Sequence, residues 1–252
     1  MAVFDTAFFK QLPNKAATYA LKQDVAEKYR IRRYGAHGTS HQYVSERVSS
    51  ILGRKDLKQI VLHLGNGASA SAVVCGKPLD TSMGLTPLQG LVMGGRTGDI
   101  DPATVFHLYR EAGMSIDEIV ELFNKQSGMK GLTGHNDMRE VWELVLSGDQ
   151  NARTAMDIYQ HRLLQYVGAY YAVMGGLDAL TFTAGVGEND PRVRSELCES
   201  LAFLGVKIDL ELNEEHFRRE AIISTPDSSV KVLVVPTNEE LAIAQQVHSL
   251  VK

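Results

Sequence analysis

Two apolar segments of this 252-residue chain have the composition of buried strands, and each runs directly into a glycine-rich turn. Lys58–Leu64 (KQIVLHL) precedes a Gly-Asn-Gly turn, and Ala179–Thr183 (ALTFT) precedes the sequence AGVGEN. Glycines let the backbone N–H groups of such turns approach phosphate oxygens closely. Either turn alone is more simply an ordinary hairpin turn or strand-to-helix turn. Both together, in a chain that alternates strands and helices, favour nucleotide binding.

The remaining sequence also alternates predicted strands and helices, which indicates one main domain of the α/β or α+β class. Further strands are predicted over residues 68–74, 206–208 and 231–235. Helices are predicted over residues 20–30, 39–52, 102–112, 136–146, 151–174, 191–204, 213–221 and 238–250.

Local signals refine this pattern at the helix ends and in the loops. Capping boxes are predicted at Ser115 with Glu118 and at Thr237 with Glu240. Residues 77–101 and 126–134 are rich in glycine and are predicted to be loops. A loop as long as the first of these is usually functional when it lies inside a compact domain.

Composition excludes several classes of protein. Hydrophobic residues make up 44% of the chain and charged residues 22%, which excludes a disordered, collagen-like or coiled-coil chain. The formal net charge of −4 disfavours nucleic acid or an anionic membrane as a partner. No segment has the pattern of a secretory signal or a membrane span. Because Cys75 and Cys198 are too few for a disulfide framework, a cytoplasmic location is predicted.

Arg96, His37 and His63 are candidates for stabilising negative charge on a ligand. Arg96 lies among glycines in MGGRTGDIDP, so its guanidinium could reach a cleft, although a lone loop arginine is usually just exposed. His37 precedes a predicted helix and His63 ends a predicted strand, and either could donate to an oxyanion. His41 follows His37 at the i, i+4 spacing of metal-binding helices, but no Glu accompanies them and a zinc site is not predicted. A hydrogen-bonded structural role is the alternative for these histidines.

Two carboxylates are candidates for binding a hard cation such as Mg²⁺. Glu239 follows the last predicted strand, and Glu240 is assigned to the capping box. Asp5 follows a short apolar segment near the N-terminus. No GxxxxGK[ST] motif occurs and GxGxxG is incomplete, which excludes a P-loop protein and disfavours a Rossmann dehydrogenase.

Six stretches, spread along the chain in order, together resemble the acetate kinase family. They are VFDTAF from residue 3, YGAHGTSH from residue 34, HLGNGAS from residue 63, DTSMGLTPLQGLVMGGRTGDIDP from residue 80, GVGEN from residue 185 and PTNEEL from residue 236. The resemblance implies a ribonuclease-H-like α/β lobe of the superfold shared by acetate and sugar kinases and actin, with a mixed sheet flanked by helices. It implies reversible phosphoryl transfer from ATP to a short-chain carboxylate, acetate, with Mg²⁺ or Mn²⁺, in a cytoplasmic homodimer.

The resemblance also assigns roles to individual residues. Asp5, His37 and Arg96 correspond to the family's catalytic residues, and Glu239 corresponds to its magnesium carboxylate. Ala36 and Pro87 correspond to residues beside the carboxylate pocket. The residues that correspond to the ATP-binding segments are His63, Leu64, Gly65, Asn66, Gly67, Asp137, Met138, Arg139, Gly185, Val186, Gly187, Glu188 and Asn189.

The family's first strand, its serine-rich phosphate turn and most of its N-terminal lobe have no counterpart in this sequence. Residues 1–236 are therefore expected to form a C-terminal nucleotide-binding lobe, and residues 237–252 a helix that returns to the N-terminal lobe. We expect weak nucleotide binding and little turnover from this chain alone.

Ala36 stands where many members have Phe, so propionate could fit. A propionate kinase and a non-catalytic nucleotide-binding or dimerisation lobe are the alternative functions.

Overall fold

The structure, a computed structural model, describes residues 2–215 and 219–251. These residues form a six-stranded mixed sheet in the order β3-β2-β1-β4-β6-β5. The strands are β1 (Lys58–Leu64), β2 (Ala68–Val74), β3 (Lys77–Thr81), β4 (Ala179–Thr183), β5 (Ala221–Ile222) and β6 (Lys231–Val234). The central strands β1, β4 and β6 are parallel, whereas β2, β3 and β5 add antiparallel pairs at the two sides.

Helices connect the strands and cover the sheet. In the described part of the chain they are α1 (Asn14–Ala17), α2 (Gln23–Lys28), α3 (Gly38–Leu52), α4 (Ala103–Glu111), α5 (Ile116–Lys125), α6 (Gly128–Thr133), α7 (Met138–Leu146), α8 (Gln150–Met174), α9 (Ala184–Asn189), α10 (Pro191–Ser200), α11 (Leu210–Glu214) and α12 (Glu239–Val251). Short 3-10 helices cover Phe8–Gln11 and Ala202–Leu204. Among the described residues, every helix is too short or too polar to serve as a membrane span.

Strand β1 is buried on both faces because helices pack on both sides of the sheet. Ile60 and Leu62 face the larger core, which includes the buried side of α8. Val61 points the other way and packs with Val44 and Val48 of α3. Full burial of each such side chain contributes about 1.5–3 kcal/mol. The two-sided burial explains why β1 is apolar without the alternation of a half-exposed strand.

The parallel pairing of β1 with β4 brings the two glycine-rich segments to one edge of the sheet. His63 of β1 is in register with Thr183 of β4, so both strands end at the same level. A Cβ added at Gly65 would lie 3.8 Å from the Cβ of Ala184, where α9 begins. In parallel α/β sheets, ligands bind at the carboxyl ends of the strands.

Several predictions from the sequence are confirmed at the level of single residues. Strands β1, β2 and β4 have the predicted bounds, and β1 and β2 form the predicted hairpin. Helix α8 ends at Gly175, which adopts the left-handed conformation (φ 66°) of a helix C-cap. Both hydrogen bonds of the predicted capping box of α5 are present between Ser115 and Glu118.

Two segments predicted as loops contain regular structure that tertiary contacts stabilise. The segment 77–101 begins with β3, an edge strand that pairs only with β2 and therefore tolerates Pro78. The segment 126–134 contains α6, although it is rich in glycine. The backbone N–H of Met129 donates to the Met93 carbonyl oxygen (3.0 Å), which satisfies a donor at the start of α6.

Other predicted boundaries were also wrong. Residues 184–189 form the short helix α9 and not an open turn, and residues 206–208 make only isolated bridges. The predicted helix over 20–30 is reduced to α2. The predicted helix over 213–221 is replaced by α11 and β5, and residues 216–218 lie outside the described residues.

The predicted capping box of Thr237 and Glu240 does not form at the start of α12 in the described residues, because Asn238 takes the capping position and Thr237 has another partner. The Asn238 side chain accepts from the N–H of Leu241 (2.9 Å) and so caps the helix. The Thr237 hydroxyl instead contacts the hydroxyl of Ser40 in α3 (2.8 Å). Helix α12 packs against α3.

Candidate functional site

The turn between β1 and β2 is the point at which two predicted catalytic side chains meet. A Cβ added at Gly67 would lie 3.5 Å from Arg96 Nη1 and 3.6 Å from His37 Nε2. Both side chains therefore approach the same face of the turn, where glycine leaves room for a ligand. Hydrogen-bond donors that converge on one point are suited to binding an anion.

Asp5 holds His37 in an unusual backbone conformation. His37 is left-handed (φ 58°), and its N–H donates to the Asp5 carboxylate (2.6 Å). The next residue, Gly38, donates its N–H to the Asp5 carbonyl oxygen (2.7 Å), and a side chain at Gly38 would clash with that oxygen. Left-handed backbone at a non-glycine residue is uncommon, and the contacts of Asp5 stabilise it here.

His37 is one of three histidines that pack together. The rings of His37 and His63 stack with centroids 4.1 Å apart, and the rings of His41 and His63 are 6.1 Å apart. Burial lowers the pKa of His37, an effect that the Asp5 carboxylate opposes and the Arg96 guanidinium reinforces. Burial and the neighbouring His37 lower the pKa of His63 to about 3.

The pKa of His41 lies well below its usual range, because the ring is buried beside the other two histidines. The cluster therefore presents neutral imidazoles at neutral pH.

Arg96 is held in the long glycine-rich segment by contacts to its own chain. Its Nη1 donates to the Pro87 carbonyl oxygen (3.1 Å) and approaches the sulfur of Met93 (3.7 Å). Within the described residues Arg96 forms no ion pair, and its side chain is half-buried. This leaves its positive charge available to an anionic ligand.

The two predicted metal-binding carboxylates lie near each other. Burial raises the pKa of Glu239, and the negative charge of Asp5 raises it further. Two neighbouring carboxylates fit a Mg²⁺ site, since Mg²⁺ is usually bound by one or two carboxylates together with substrate phosphates. The described residues contain no group of three or more acidic, histidine or cysteine side chains able to hold a metal ion by themselves. Water and substrate oxygens would complete the coordination of a cation here.

A cavity of about 950 Å³ opens on the other side of the β1–β2 turn. Eight of the predicted nucleotide-binding residues line it, namely Gly65, Asn66, Asp137, Met138, Arg139, Gly185, Val186 and Asn189. They come from the turn, from the start of α7 and from α9. The tertiary structure thus joins three segments that are far apart in the sequence.

The other predicted nucleotide-binding residues have different surroundings. Leu64 is fully buried in the larger core, and Gly187 packs under the end of β4. His63 Nδ1 is 2.8 Å from the hydroxyl of Ser40. The Glu188 carboxylate accepts from the N–H groups of Ala184 (2.8 Å) and Thr237 (3.2 Å). Glu188 therefore connects α9 to the segment after β6.

The two residues predicted to lie beside a carboxylate substrate do not line the cavity. Ala36 is buried in the larger core, and Pro87 is exposed. The carbonyl oxygen of Pro87 accepts from Arg96, so Pro87 belongs to the Arg96 side of the turn.

Sequence reasoning missed Trp142, Tyr159 and Asp190, which line the cavity. Trp142 Nε1 donates to the Asp190 carboxylate (2.7 Å), which joins α7 to α10. Trp142 is the single tryptophan of the chain, and its position on the apolar side of a helix is typical of a core residue. No local signal distinguished it as a cavity residue.

Comparison with known proteins shows the family of this chain. A sequence model of the Acetokinase family matches residues 1–245. The chain belongs to this family. It is 60% identical over 248 residues to acetate kinase from Leifsonia xyli, an alignment that covers 98% of this chain and 62% of that protein. It is 54% identical over 257 residues to acetate kinase from Thermotoga maritima, with coverage of 100% and 64%.

Solved structures agree with the fold of this acetokinase-family chain. Acetate kinase from Porphyromonas gingivalis has a TM-score of 0.96 and 45% identity, covering 99% of this chain and 63% of that one. A propionate kinase from Francisella tularensis has a TM-score of 0.92 and 48% identity, with coverage of 97% and 62%. These similarities and the helix-flanked mixed sheet confirm the predicted α/β class and are consistent with the actin-like ATPase fold. The chain spans slightly less than two thirds of the length of these relatives.

Proposed function

We propose that this chain is the nucleotide-binding part of an enzyme that reversibly transfers a phosphoryl group from ATP to acetate, giving acetyl phosphate and ADP. The observation that carries the proposal is the position of the β1–β2 turn. It borders the 950 Å³ cavity on one side, and His37 and Arg96 approach it on the other. The names of the relatives, acetate kinases at 54–60% identity, support the same reaction.

In this proposal the adenosine occupies the cavity, and the phosphates follow the turn toward Gly67. Phosphoryl transfer requires mainly positioning and stabilisation of charge on the equatorial oxygens. Arg96 would supply a cation, and neutral His37 would donate a hydrogen bond. Asp5 would keep His37 in position through its bond to the His37 N–H (2.6 Å).

Glu239 and Asp5 would hold Mg²⁺, or Mn²⁺ in its place. Burial first and the charge of Asp5 second raise the pKa of Glu239, and a cation bound between the two carboxylates would offset both effects, which supports this assignment. When bound, the ion would offset the negative charge of the phosphate oxygens.

Propionate is the second candidate substrate. The resemblance makes Ala36 and Pro87 the proposed neighbours of the acyl chain, and Ala36 stands where many members have the larger Phe. The 48% identity to a propionate kinase supports this alternative. The third candidate is a lobe that binds nucleotide or dimerises without catalysis, for which the cavity alone would be sufficient.

A homodimer and a cytoplasmic location complete the proposal. Helix α4 has no buried residue, and exposed apolar side chains on α4 and α5 support a dimer contact there. The free thiols of Cys75 and Cys198 support a reducing compartment. Exposed Leu241 and Ile243 on α12 support the proposal that the terminal helix contacts a further part of a whole enzyme.

The reaction can be tested by trapping acyl phosphate with hydroxylamine during incubation with Mg-ATP and either acetate or propionate. We expect little product from this chain alone, and at least a hundredfold loss of the measured rate in Arg96→Ala, since one charge-stabilising donor is worth about 10²–10³ in rate. Arg54→Ala is the matched control, because Arg54 is exposed and pairs with Asp56 and Asp178 near the opposite end of β1.

Nucleotide binding can be followed separately by the fluorescence of Trp142, the single tryptophan. ADP should change this fluorescence in the wild-type chain and in Arg96→Ala alike. Binding without turnover would favour the non-catalytic lobe. If ADP does not bind, or if Arg96→Ala retains full activity, the proposed function is wrong.

A further inference from the structure

A chain of buried polar groups runs away from the ring of His37 into the protein. His37 Nδ1 is 2.9 Å from the hydroxyl of Ser69, which is 2.7 Å from His41 Nε2. On the far side of that ring, His41 Nδ1 is 2.7 Å from the hydroxyl of Ser71. Ser69, His41 and Ser71 are completely buried. The ring of Phe9 packs against His41 with centroids 5.5 Å apart.

The single proton of the Ser69 hydroxyl couples the tautomers of His37 and His41. A hydroxyl group has one proton to donate, and it accepts through its lone pairs. Ser69 lies between two ring nitrogens, and its hydroxyl has no other hydrogen-bond partner among the described residues, so accepting an N–H from both rings would leave the buried O–H without an acceptor. Ser69 therefore donates to one ring nitrogen and accepts an N–H from the other. If His37 Nδ1 is the acceptor, His41 Nε2 must carry a proton, and if His37 Nδ1 is protonated, His41 Nε2 is not. The tautomers of His37 and His41 are therefore not independent.

Ser71 decides the direction in which protons are donated along this series of hydrogen bonds. In the described residues its hydroxyl has one hydrogen-bond partner, His41 Nδ1. If His41 Nδ1 carried the proton, the buried Ser71 O–H would have no acceptor, which costs about 1–3 kcal/mol. If Ser71 donates to Nδ1, no buried donor is left without a partner. His41 then donates from Nε2 to Ser69, and Ser69 donates to His37 Nδ1.

We propose that Ser71, His41 and Ser69 are positioning residues that keep neutral His37 in the tautomer with its proton on Nε2. This is the nitrogen that faces Gly67, 3.6 Å from the position of a Cβ there. The cleft therefore receives an N–H donor from His37 and not a lone pair. The value of this arrangement for catalysis rests on the proposed function, because a donor at this position would bind a phosphoryl oxygen.

The tautomers can be measured by long-range ¹H–¹⁵N NMR on the unliganded full chain with ¹⁵N-labelled histidine, near pH 7.5. His37→Gln and His41→Gln assign the resonances by removing them. We expect both wild-type rings to have protonated Nε2 and unprotonated Nδ1. Wild-type rings with protonated Nδ1 would overturn the proposal, and this measurement needs no variant with Ser69 altered.

Substitution of Ser69 tests whether the chain causes the tautomer. In Ser69→Ala no hydrogen bond fixes His37 Nδ1. The ¹⁵N chemical shifts of both ring nitrogens of His37 should therefore move toward the average of the two tautomers. Ser69→Thr keeps a hydroxyl and should restore the wild-type chemical shifts of the His37 ring nitrogens. Ser45→Ala is the matched control, because Ser45 is a buried serine whose hydroxyl donates to Gln42 and not to a histidine. Unchanged chemical shifts of the His37 ring nitrogens in Ser69→Ala would show that the hydrogen bonds through Ser69 do not set the tautomer.

The NMR measurement of the tautomers does not depend on the proposed reaction. If the tautomers are as expected but no acyl phosphate forms, the proposed function fails and this inference stands. If acyl phosphate does form, Ser69→Ala should lower kcat about tenfold with KM for ATP unchanged, since Ser69 would act only through the donor of His37. A rise in KM without a change in kcat would contradict a role in positioning His37.

Discussion

At the scale of single residues, the histidine cluster shows how burial changes the chemistry of a side chain. His63 is 8% exposed, and its pKa falls to about 3 because the charged ring would lose its hydration beside His37. His41 is affected in the same direction. Both rings are hydrogen-bonded as neutral groups to serine hydroxyls. A neutral His37 beside the guanidinium of Arg96 avoids the repulsion that an imidazolium would bring.

This burial makes stability depend on pH. An unfolded histidine protonates near pH 6.5, whereas native His63 stays neutral down to about pH 3. The unfolded state therefore binds more protons in this range, and stability present above pH 6.5 is lost as the pH falls. Between pH 7.5 and 5.5 we expect His63 alone to lower the free energy of unfolding by about 1.4 kcal/mol.

Urea unfolding of the wild type and of His63→Asn at the two pH values measures this contribution. The wild type should lose about 1.4 kcal/mol more than the variant between pH 7.5 and 5.5. Equal losses in the two proteins would show that native His63 is not held neutral.

At the scale of elements, the wall of the cavity depends on one carboxylate that serves two helices. Asp190 caps α10 by accepting from the N–H groups of Arg192 and Val193 (both 3.1 Å). It also accepts from Trp142 Nε1 of α7 (2.7 Å). Burial raises the pKa of Asp190, and these three donors oppose that rise by stabilising the carboxylate. The bond to Trp142 fixes the distance between α7 and α10.

We expect Asp190→Ala to destabilise the protein by about 2–4 kcal/mol, because it removes a cap worth about 1 kcal/mol and leaves a buried indole N–H without a partner. Asp149→Ala is the matched control, since Asp149 caps α8 and makes no bond to another helix through its carboxylate. That variant should lose only about 1 kcal/mol. Similar losses from the two variants, measured by urea unfolding, would mean that the Trp142 bond contributes nothing.

At the scale of the whole molecule, apolar side chains of the neighbouring helices α4 and α5 are exposed together in the described part of the chain. Phe106 and Tyr109 of α4 and Ile116 and Val120 of α5 are each more than half exposed. Surface apolar side chains grouped in this way commonly mark a protein–protein contact. The proposed homodimer would bury them.

Sedimentation velocity at micromolar concentration tests this contact. The wild type should sediment as a dimer and Phe106→Glu as a monomer, because a buried carboxylate without a partner opposes association. Phe203→Glu is the control, since Phe203 is 79% exposed on a separate 3-10 helix, and it should leave the dimer intact. A monomeric wild type would contradict the proposed interface.

The sequence by itself determined the elements whose stability comes from neighbouring residues. Strands β1 and β4 are continuous apolar segments, and the capping box of α5 needs only Ser115 and Glu118, so local patterns were sufficient. The motifs also identified the family and named eight residues that line the cavity.

Only the tertiary structure decided the features that depend on groups distant along the chain. At the start of helix α6, the N–H of Met129 donates to the carbonyl oxygen of Met93. Thr237 contacts Ser40 instead of capping α12. The bond between Trp142 and Asp190 and the chain through Ser69 join elements that have no shared local pattern. Hydrogen bonds act over about 3 Å in space whatever the separation in sequence, so these contacts form only after the sheet and its helices have packed.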